Sequence, residues 1–134
     1  MPVPTLLRAI LFAKDVKRLT EFYHEALGLP LAAQPSDPNW VELDAGGVRL
    51  AIHALPPRVA REVQVTWPPR AREEVPLKLV FEVDDLEQTR RHLTSRGATM
   101  FEPRTSAGFQ VEACDGLDPE GNVFRLVAAR PGRA

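Results

Sequence analysis

Apolar and polar positions along the chain predict the same order of elements twice. Leu6–Ala13 is rich in large apolar residues and predicts a buried strand. A helix with apolar residues at helical spacing follows, between an Asp15 cap and a Gly28 stop. The same order recurs about seventy residues later, as a strand over Leu77–Val83 and a helix over Asp85–Arg96. Such a duplication indicates that the two halves build one site between them.

Further short strands complete each half. The pattern predicts them at Leu31–Ala33, Trp40–Asp44, Val48–Ala54, Ala98–Glu102, Phe109–Cys114 and Asn122–Ala128. The order βαβββ, repeated, predicts an α+β fold in which two paired βαβββ modules form a curled mixed sheet around a cleft, with the helices outside. We assign one domain over residues 1–134, with module one at about 5–54 and module two at about 77–128.

The segment 55–76 differs in composition from both modules. Its prolines break regular structure, and the stretch Arg58–Arg72 is highly charged. We therefore interpret it as the linker between the modules, with one short strand possible at Val63–Trp67. It is long for a plain connection, and loops of this length are often functional or mobile.

Composition and charge exclude several classes of function. A net charge of −1 gives no support to nucleic-acid binding. The sequence holds no apolar run long enough for a membrane span, and its first residues do not resemble a signal peptide. The single cysteine, Cys114, excludes an internal disulfide, fits a cytoplasmic location and is expected to be a packed strand residue rather than a nucleophile.

Two motifs resemble those of a known superfamily. The pattern from Phe22-Tyr23 to Leu27-Gly28-Leu29, and Asp118-Pro119-Glu120-Gly121-Asn122 before the last strand, are similar to the vicinal oxygen chelate superfamily. That superfamily includes glyoxalase I, extradiol dioxygenases, and bleomycin- and fosfomycin-resistance proteins. The resemblance covers roughly residues 5 to 128 and implies paired βαβββ modules, a funnel-shaped cleft and a homodimer. In its enzymes a divalent metal is held by His, Gln or Glu residues from four strands of the cleft.

Carried over position by position, the metal ligands of this superfamily fall on unsuitable residues. The positions are Arg8, Ala51, Lys78 and Arg125. A guanidinium has no lone pair to donate, alanine has no donor atom, and lysine is an ammonium ion at neutral pH. We therefore expect neither a metal nor another cofactor. A rearranged metal site using His53, Glu82 and Glu112 is the alternative.

Strand alternation predicts which side chains face the cleft. The cleft-facing set is expected to comprise Arg8, Phe12, Trp40, Glu42, His53, Lys78, Glu82 and Arg125. The cations in this set require compensation, since clustered like charges repel. Either Glu42, Glu82 and Glu112 form ion pairs with them, or the cations receive an anionic ligand that stacks against Trp40 or Phe12, or both hold. His53 is either a general base or an ordinary histidine of the cleft.

Three functions remain open on these observations. The first, which the metal positions favour, is a metal-free small-molecule-binding protein with a cationic cleft for an anionic or aromatic ligand. The second is an enzyme of the superfamily, a lyase, isomerase or dioxygenase, with a non-standard site. The third is a degenerate dimeric interaction module that uses the linker as its contact surface.

Overall fold

Strands dominate both halves of the chain in the computed structural model, which describes residues 3–105 and 112–128. The chain divides into two compact units, Met1–Gln64 and Val65–Ala134, and each is described by itself. The strands are β1 (Arg8–Ala13), β2 (Trp40–Asp44), β3 (Arg49–Ala54), β4 (Leu79–Val83), β5 (Thr99–Met100), β6 (Arg104–Thr105), β7 (Glu112–Leu117) and β8 (Val123–Ala128). The helices are α1 (Val16–Thr20), α2 (Pro57–Ala60) and α3 (Leu86–Ser95), and a π-helical segment, Glu21–Ala26, continues α1.

The sheet of the first unit has the strand order β1-β3-β2. β1 pairs with β3 in parallel, and β2 pairs with β3 antiparallel. Parallel pairing requires a crossover, which α1 provides by packing on β3 and β2. Leu43 and Ile52 of the sheet and Leu19 and Tyr23 of the helical segment are all fully buried. Each such side chain contributes roughly 1.5–3 kcal/mol on burial, so this face holds the unit together.

The helical segment of the first unit begins and ends as the sequence predicts but changes type midway. The Asp15 carboxylate accepts a hydrogen bond from the Arg18 N–H, and Gly28 ends the segment with φ +95°. In between, the backbone widens to π-helical geometry, in which the Leu27 N–H donates to the Phe22 carbonyl. None of the helices in the described residues has the length and hydropathy that crossing a bilayer requires.

The sheet of the second unit has the strand order β4-β8-β7-β5, and β6 also pairs with β7. β4 and β8 are parallel, whereas β7 is antiparallel to its neighbours. The Asp85 carboxylate caps α3 by accepting from the Gln88 N–H. Leu93 of α3 and Phe124 and Leu126 of β8 are buried, which is the same arrangement of helix on sheet as in the first unit.

A buried carboxylate organises the turn between β7 and β8. Asp118 is fully buried, and its carboxylate accepts from the backbone N–H of Glu120 and of Asn122 and from the Asn122 side chain. Gly121 follows with φ +85°, a conformation that glycine adopts without steric cost. The motif that the sequence shows at 118–122 therefore stabilises the turn that leads into β8.

The α+β class and the repeated strand–helix–strand order are confirmed, but several predicted strands differ from those observed. Leu31–Ala33 is reduced to a single bridge between Leu31 and Leu43. No strand forms at Val63–Trp67, which precedes two prolines that cannot donate backbone hydrogen bonds. Ala98–Glu102 is shortened to Thr99–Met100, and the strand placed at Phe109–Cys114 is observed as β7, with 109–111 outside the described residues.

Candidate functional site

Aromatic side chains form a row across one face of the first sheet. The strand register places Phe12 beside His53 and His53 beside Trp40. The ring centroids lie 5.6 Å apart for Phe12 and His53 and 5.1 Å apart for Trp40 and His53. His53 thus lies between two aromatic rings, and the row presents a ring-lined surface.

A carboxylate lies between two arginines on the same face. Glu42 accepts from the Arg8 Nε, and Arg49 Nη1 lies 3.1 Å from the other Glu42 oxygen. The Arg8 guanidinium also lies over the Trp40 ring, 5.9 Å from its centroid, which joins the charged cluster to the aromatic row. Beneath them Ala51 is fully buried between Ile10 and Glu42 in the strand register.

The second sheet repeats this arrangement around Asp115. Arg125 Nε lies 2.7 Å from Asp115 Oδ1, and Lys78 Nζ lies 3.1 Å from Oδ2. Arg104 Nη2 contacts the same Oδ2 at 3.5 Å. One carboxylate therefore serves three cations in this cluster, an excess of two positive charges among the described residues.

The ion pairs of this cluster change the titration of both central groups. Burial alone raises the pKa of Asp115, but the hydrogen bonds and charges of Arg125 and Lys78 outweigh it and hold the pKa below its ordinary value. The hydrogen bond to Asp115 raises the pKa of Arg125. Asp115 is therefore ionised at neutral pH, and its charge contributes to holding the cations.

The structure places the sequence-predicted residues in two groups. Arg8, Phe12, Trp40, Glu42 and His53 come together on the sheet face of the first unit. In the second unit, Lys78 and Arg125 meet at one carboxylate, and Glu82 is exposed on β4 in register with Val127. That the two faces line one cleft stays a prediction.

Sequence reasoning missed the carboxylate at the centre of the second cluster. The expected partner Glu112 lies on the opposite face of β7 from Asp115, because side chains of a strand alternate. The strand predicted from the sequence ends at Cys114, one residue before Asp115. Gly116 lies instead within the strand. A Cβ there would lie 2.5 Å from the Met100 sulfur, which is the signal for close packing rather than a turn. Arg49 was also missed, although it shares the face of Ala51 and His53.

Cys114 is a buried residue of β7, as the sequence predicts. Its thiol is fully buried and donates to the Phe101 carbonyl at 3.0 Å. Burial raises the pKa of this thiol, so it stays protonated at neutral pH. A protonated, inaccessible thiol is not a nucleophile.

The residues at the expected metal positions do not fit a metal ion. Arg8, Lys78 and Arg125 each donate to a carboxylate of their own sheet. Within residues 3–105 and 112–128, no three His, Cys, Asp or Glu side chains come together as a metal site would require. His53 lies in the first unit and Glu82 and Glu112 lie in the second, so the alternative site stays a prediction.

A family model described as a glyoxalase-like domain matches residues 8–127. The chain belongs to the glyoxalase-like family. This membership confirms the resemblance to the vicinal oxygen chelate superfamily. No significant match is found among curated proteins.

Solved structures share the glyoxalase-like fold over nearly the whole chain. A glyoxalase/bleomycin resistance protein/dioxygenase family enzyme from Burkholderia phytofirmans PsJN has a TM-score of 0.74 and 21% identity, covering 95% of this chain and 100% of that one. The protein SMU.1112c has a TM-score of 0.73 and 24% identity, covering 94% and 99%. TnmS3, an antibiotic binding protein from Streptomyces sp. CB03234, has a TM-score of 0.71 and 20% identity, covering 97% and 99%. At these identities the similarity establishes the fold alone.

Proposed function

We propose that this glyoxalase-like protein binds a small molecule without a metal, and that its ligand is anionic, aromatic or both. One observation carries the proposal. Arg8, Lys78 and Arg125 occupy three of the four positions of the superfamily's metal ligands, and each is bonded to a carboxylate. These side chains offer no lone pair to a metal at neutral pH. A divalent ion would also add positive charge where cations already outnumber carboxylates.

The charge balance of both clusters favours an anionic ligand. Two unit charges about 6 Å apart repel by roughly 3 kcal/mol at an effective dielectric of 20. Glu42 serves two arginines, and Asp115 serves three cations. An anion that binds at either cluster offsets this repulsion, and an arginine holds a carboxylate through two parallel hydrogen bonds.

The aromatic row of the first unit favours a ligand that contains a ring. Phe12 is 49% exposed although it lies beside His53 in a packed row. Aromatic side chains interact with other rings by offset or edge-to-face stacking, which adds about 0.5–1.5 kcal/mol to the burial of area. At the other end of the row, the Arg8 guanidinium lies 5.9 Å from the centroid of the Trp40 ring, so a ring that stacks on Trp40 would lie near a cation. TnmS3 is an antibiotic binding protein of the same fold, so the fold is compatible with the binding of an antibiotic.

Elemental analysis of the purified protein tests the metal-free part of the proposal. We expect well under one equivalent of Zn, Ni, Mn or Fe per chain after purification without chelator. About one equivalent per chain, removable by a chelator with loss of thermal stability, would show that the protein is a metalloprotein.

A thermal-shift screen with anionic metabolites and antibiotics tests the ligand class. A ligand at 100 times its dissociation constant adds about 2.7 kcal/mol to the free energy of unfolding and raises the Tm by several degrees. The Arg8→Ala/Arg125→Ala double variant is expected to lose these shifts, whereas Arg91→Ala, at an exposed position on α3, keeps them. Unchanged shifts in the double variant would contradict the cationic binding faces.

A further inference from the structure

The second unit contains a cavity, and the sequence did not predict that residues of the segment 71–77 line it. Its volume is about 580 Å³, which lies within the roughly 300–1,000 Å³ of small-molecule sites. Residues of the segment 71–77 form one wall, and Lys78, Phe101 and Asp115 lie on the sheet side. The stretch that the sequence suggests to be a linker is therefore part of a cavity wall.

The backbone of this wall is held against the turn before β8. The Arg72 N–H donates to the Gly121 carbonyl at 2.9 Å. A Cβ at Gly121 would lie 2.1 Å from the Arg70 carbonyl oxygen, so this close approach is possible only for glycine. The cavity thus depends on a backbone contact between the segment and a turn that the buried Asp118 organises.

The surface of the cavity is apolar on one side and charged at one end. Val75, Leu77 and Phe101 remain 42%, 66% and 43% exposed, although apolar side chains of this size are usually covered. At the charged end, Lys78 Nζ bonds Asp115 Oδ2 at 3.1 Å. This combination fits a ligand with an apolar body and one charged group.

Of the three cations on Asp115, Lys78 is the one that lines the cavity, and a ligand can recruit it at low cost. Arg125 bonds both oxygens of Asp115, at 2.7 Å and 3.4 Å, so Asp115 keeps partners when Lys78 turns away. The Lys78 side chain is 37% exposed, compared with 23% for Arg125. Its ammonium carries three donors and can bond Asp115 and a ligand carboxylate at the same time.

We propose that this cavity binds an amphipathic carboxylate, with its carboxylate on Lys78 and its apolar body against Val75, Leu77 and Phe101. The proposal rests on the proposed function, since it names a ligand class and a place for it. A carboxylate fits better than a dianion, because Asp115 remains beside the site and repels a second negative charge.

Isothermal titration with two probes of one shape tests this site. We expect 2-naphthoate to bind the unmodified protein at least about tenfold more tightly than 2-naphthalenemethanol, its uncharged counterpart. Lys78→Met is expected to remove this preference, because it removes the ammonium on which the carboxylate of the probe is placed, while Arg72 of the cavity lining stays in place. Lys17→Met, at an exposed position of α1, is the matched control and keeps the preference.

Two further variants test the walls. Leu77→Asn is expected to weaken both probes by at least about threefold, and Leu6→Asn, which changes a leucine of similar exposure in the first unit, leaves them unchanged. Gly121→Ala displaces the wall at Arg70 and is expected to weaken both probes while Lys78 and Phe101 stay intact. If Gly121→Ala does not fold, Lys78→Met and Leu77→Asn decide the question.

The outcomes separate this inference from the proposed function. The inference is wrong if 2-naphthoate shows no saturable binding up to about 1 mM, or if its affinity is unchanged in Lys78→Met and Leu77→Asn. If Arg8→Gln abolishes naphthoate binding and the second-unit variants do not, the ligand binds in the first unit; the proposed function then stands and the inference falls. One equivalent of bound metal would overturn the proposed function whatever the probes do.

Discussion

One carboxylate is bonded to two or more cations on the sheet face of each unit, but the residues around the two carboxylates differ. In the first unit Glu42 on β2 holds Arg8 and Arg49, and in the second unit Asp115 on β7 holds Arg125 of β8 and Lys78, which lies just before β4. Both carboxylates are nearly buried, with side chains 15% and 16% exposed. In both halves the carboxylate comes from the strand beside the one that supplies the expected metal ligand.

The surroundings of the two carboxylates differ. An aromatic row lies beside Glu42, whereas a cavity walled by the segment 71–77 lies beside Asp115. The second carboxylate also serves one more cation than the first. A duplicated scaffold can therefore keep the same arrangement in both halves, a carboxylate bonded to several cations, and still offer two different surfaces to ligands.

The largest expected effect is the loss of Asp115. Asp115→Asn removes the charge that holds three cations and should lower the free energy of unfolding by about 2–3 kcal/mol. Glu42→Gln, which releases two arginines, should cost about 1–2 kcal/mol. Urea unfolding at pH 7 measures both, with Glu102→Gln as the control, because that side chain is 90% exposed and should matter by less than about 0.5 kcal/mol. Equal losses for Asp115→Asn and Glu42→Gln would contradict the larger contribution expected of Asp115.

Acid unfolding sharpens the same comparison. The pKa of Asp115 is lower in the folded protein than its ordinary value of 3.8, so the folded state binds its proton less readily than the unfolded state does. Its stabilising contribution is therefore complete above pH 3.8 and is lost as the pH falls through the folded pKa. Asp115→Asn should show a shallower loss of stability than the unmodified protein in that acid range, by urea unfolding at successive pH values. Parallel curves would mean that Asp115 titrates alike in both states.

The aromatic row should produce a smaller effect that is confined to the first unit. We expect a Trp40→Ala/His53→Ala double-mutant cycle to give a coupling energy of about 0.5–1.5 kcal/mol, because the two rings are in contact. Urea unfolding of the two single variants and the double variant provides the cycle. A coupling below about 0.3 kcal/mol would indicate two independent residues rather than a row.

The smallest effect is expected at the outermost cation of the second cluster. Arg104 is 63% exposed and lies 3.5 Å from Asp115, so Arg104→Gln should change the free energy of unfolding by at most about 0.5 kcal/mol. Arg125→Gln, at 2.7 Å and 23% exposure, should cost more. Urea unfolding at low and high salt checks that Arg125→Gln costs more than Arg104→Gln. The contribution of Arg104 to the free energy of unfolding should vanish at a lower salt concentration than that of Arg125. The reverse order would contradict the geometry.

Alternation predicted the faces of the strands well, because it depends only on the period of a strand. Arg8 and Phe12 lie on one face of β1, as expected, and the Arg8–Glu42 ion pair is confirmed. The caps Asp15 and Asp85 were also predictable, since each lies directly before an apolar periodic stretch.

The missed features depend on tertiary packing. Asp115 was left out of the predicted strand, because the sequence does not show that β7 continues through Gly116, which packs against Met100. The π-helical segment after α1 has the same apolar pattern as an α-helix, so the two could not be distinguished. The cavity could not be predicted, because its wall depends on how the Arg70 backbone approaches Gly121.

The buried thiol gives the protein an internal reporter. Cys114 is the chain's single cysteine, so any thiol-specific reagent labels one site. That site is closed to solvent in the folded second unit, and its thiol is protonated at neutral pH. The rate of labelling therefore measures how often β7 becomes exposed to solvent, and no cysteine has to be introduced for the measurement. A ligand bound in the second unit would lower the labelling rate of Cys114 by a factor that depends on its occupancy. The labelling rate would therefore measure ligand binding.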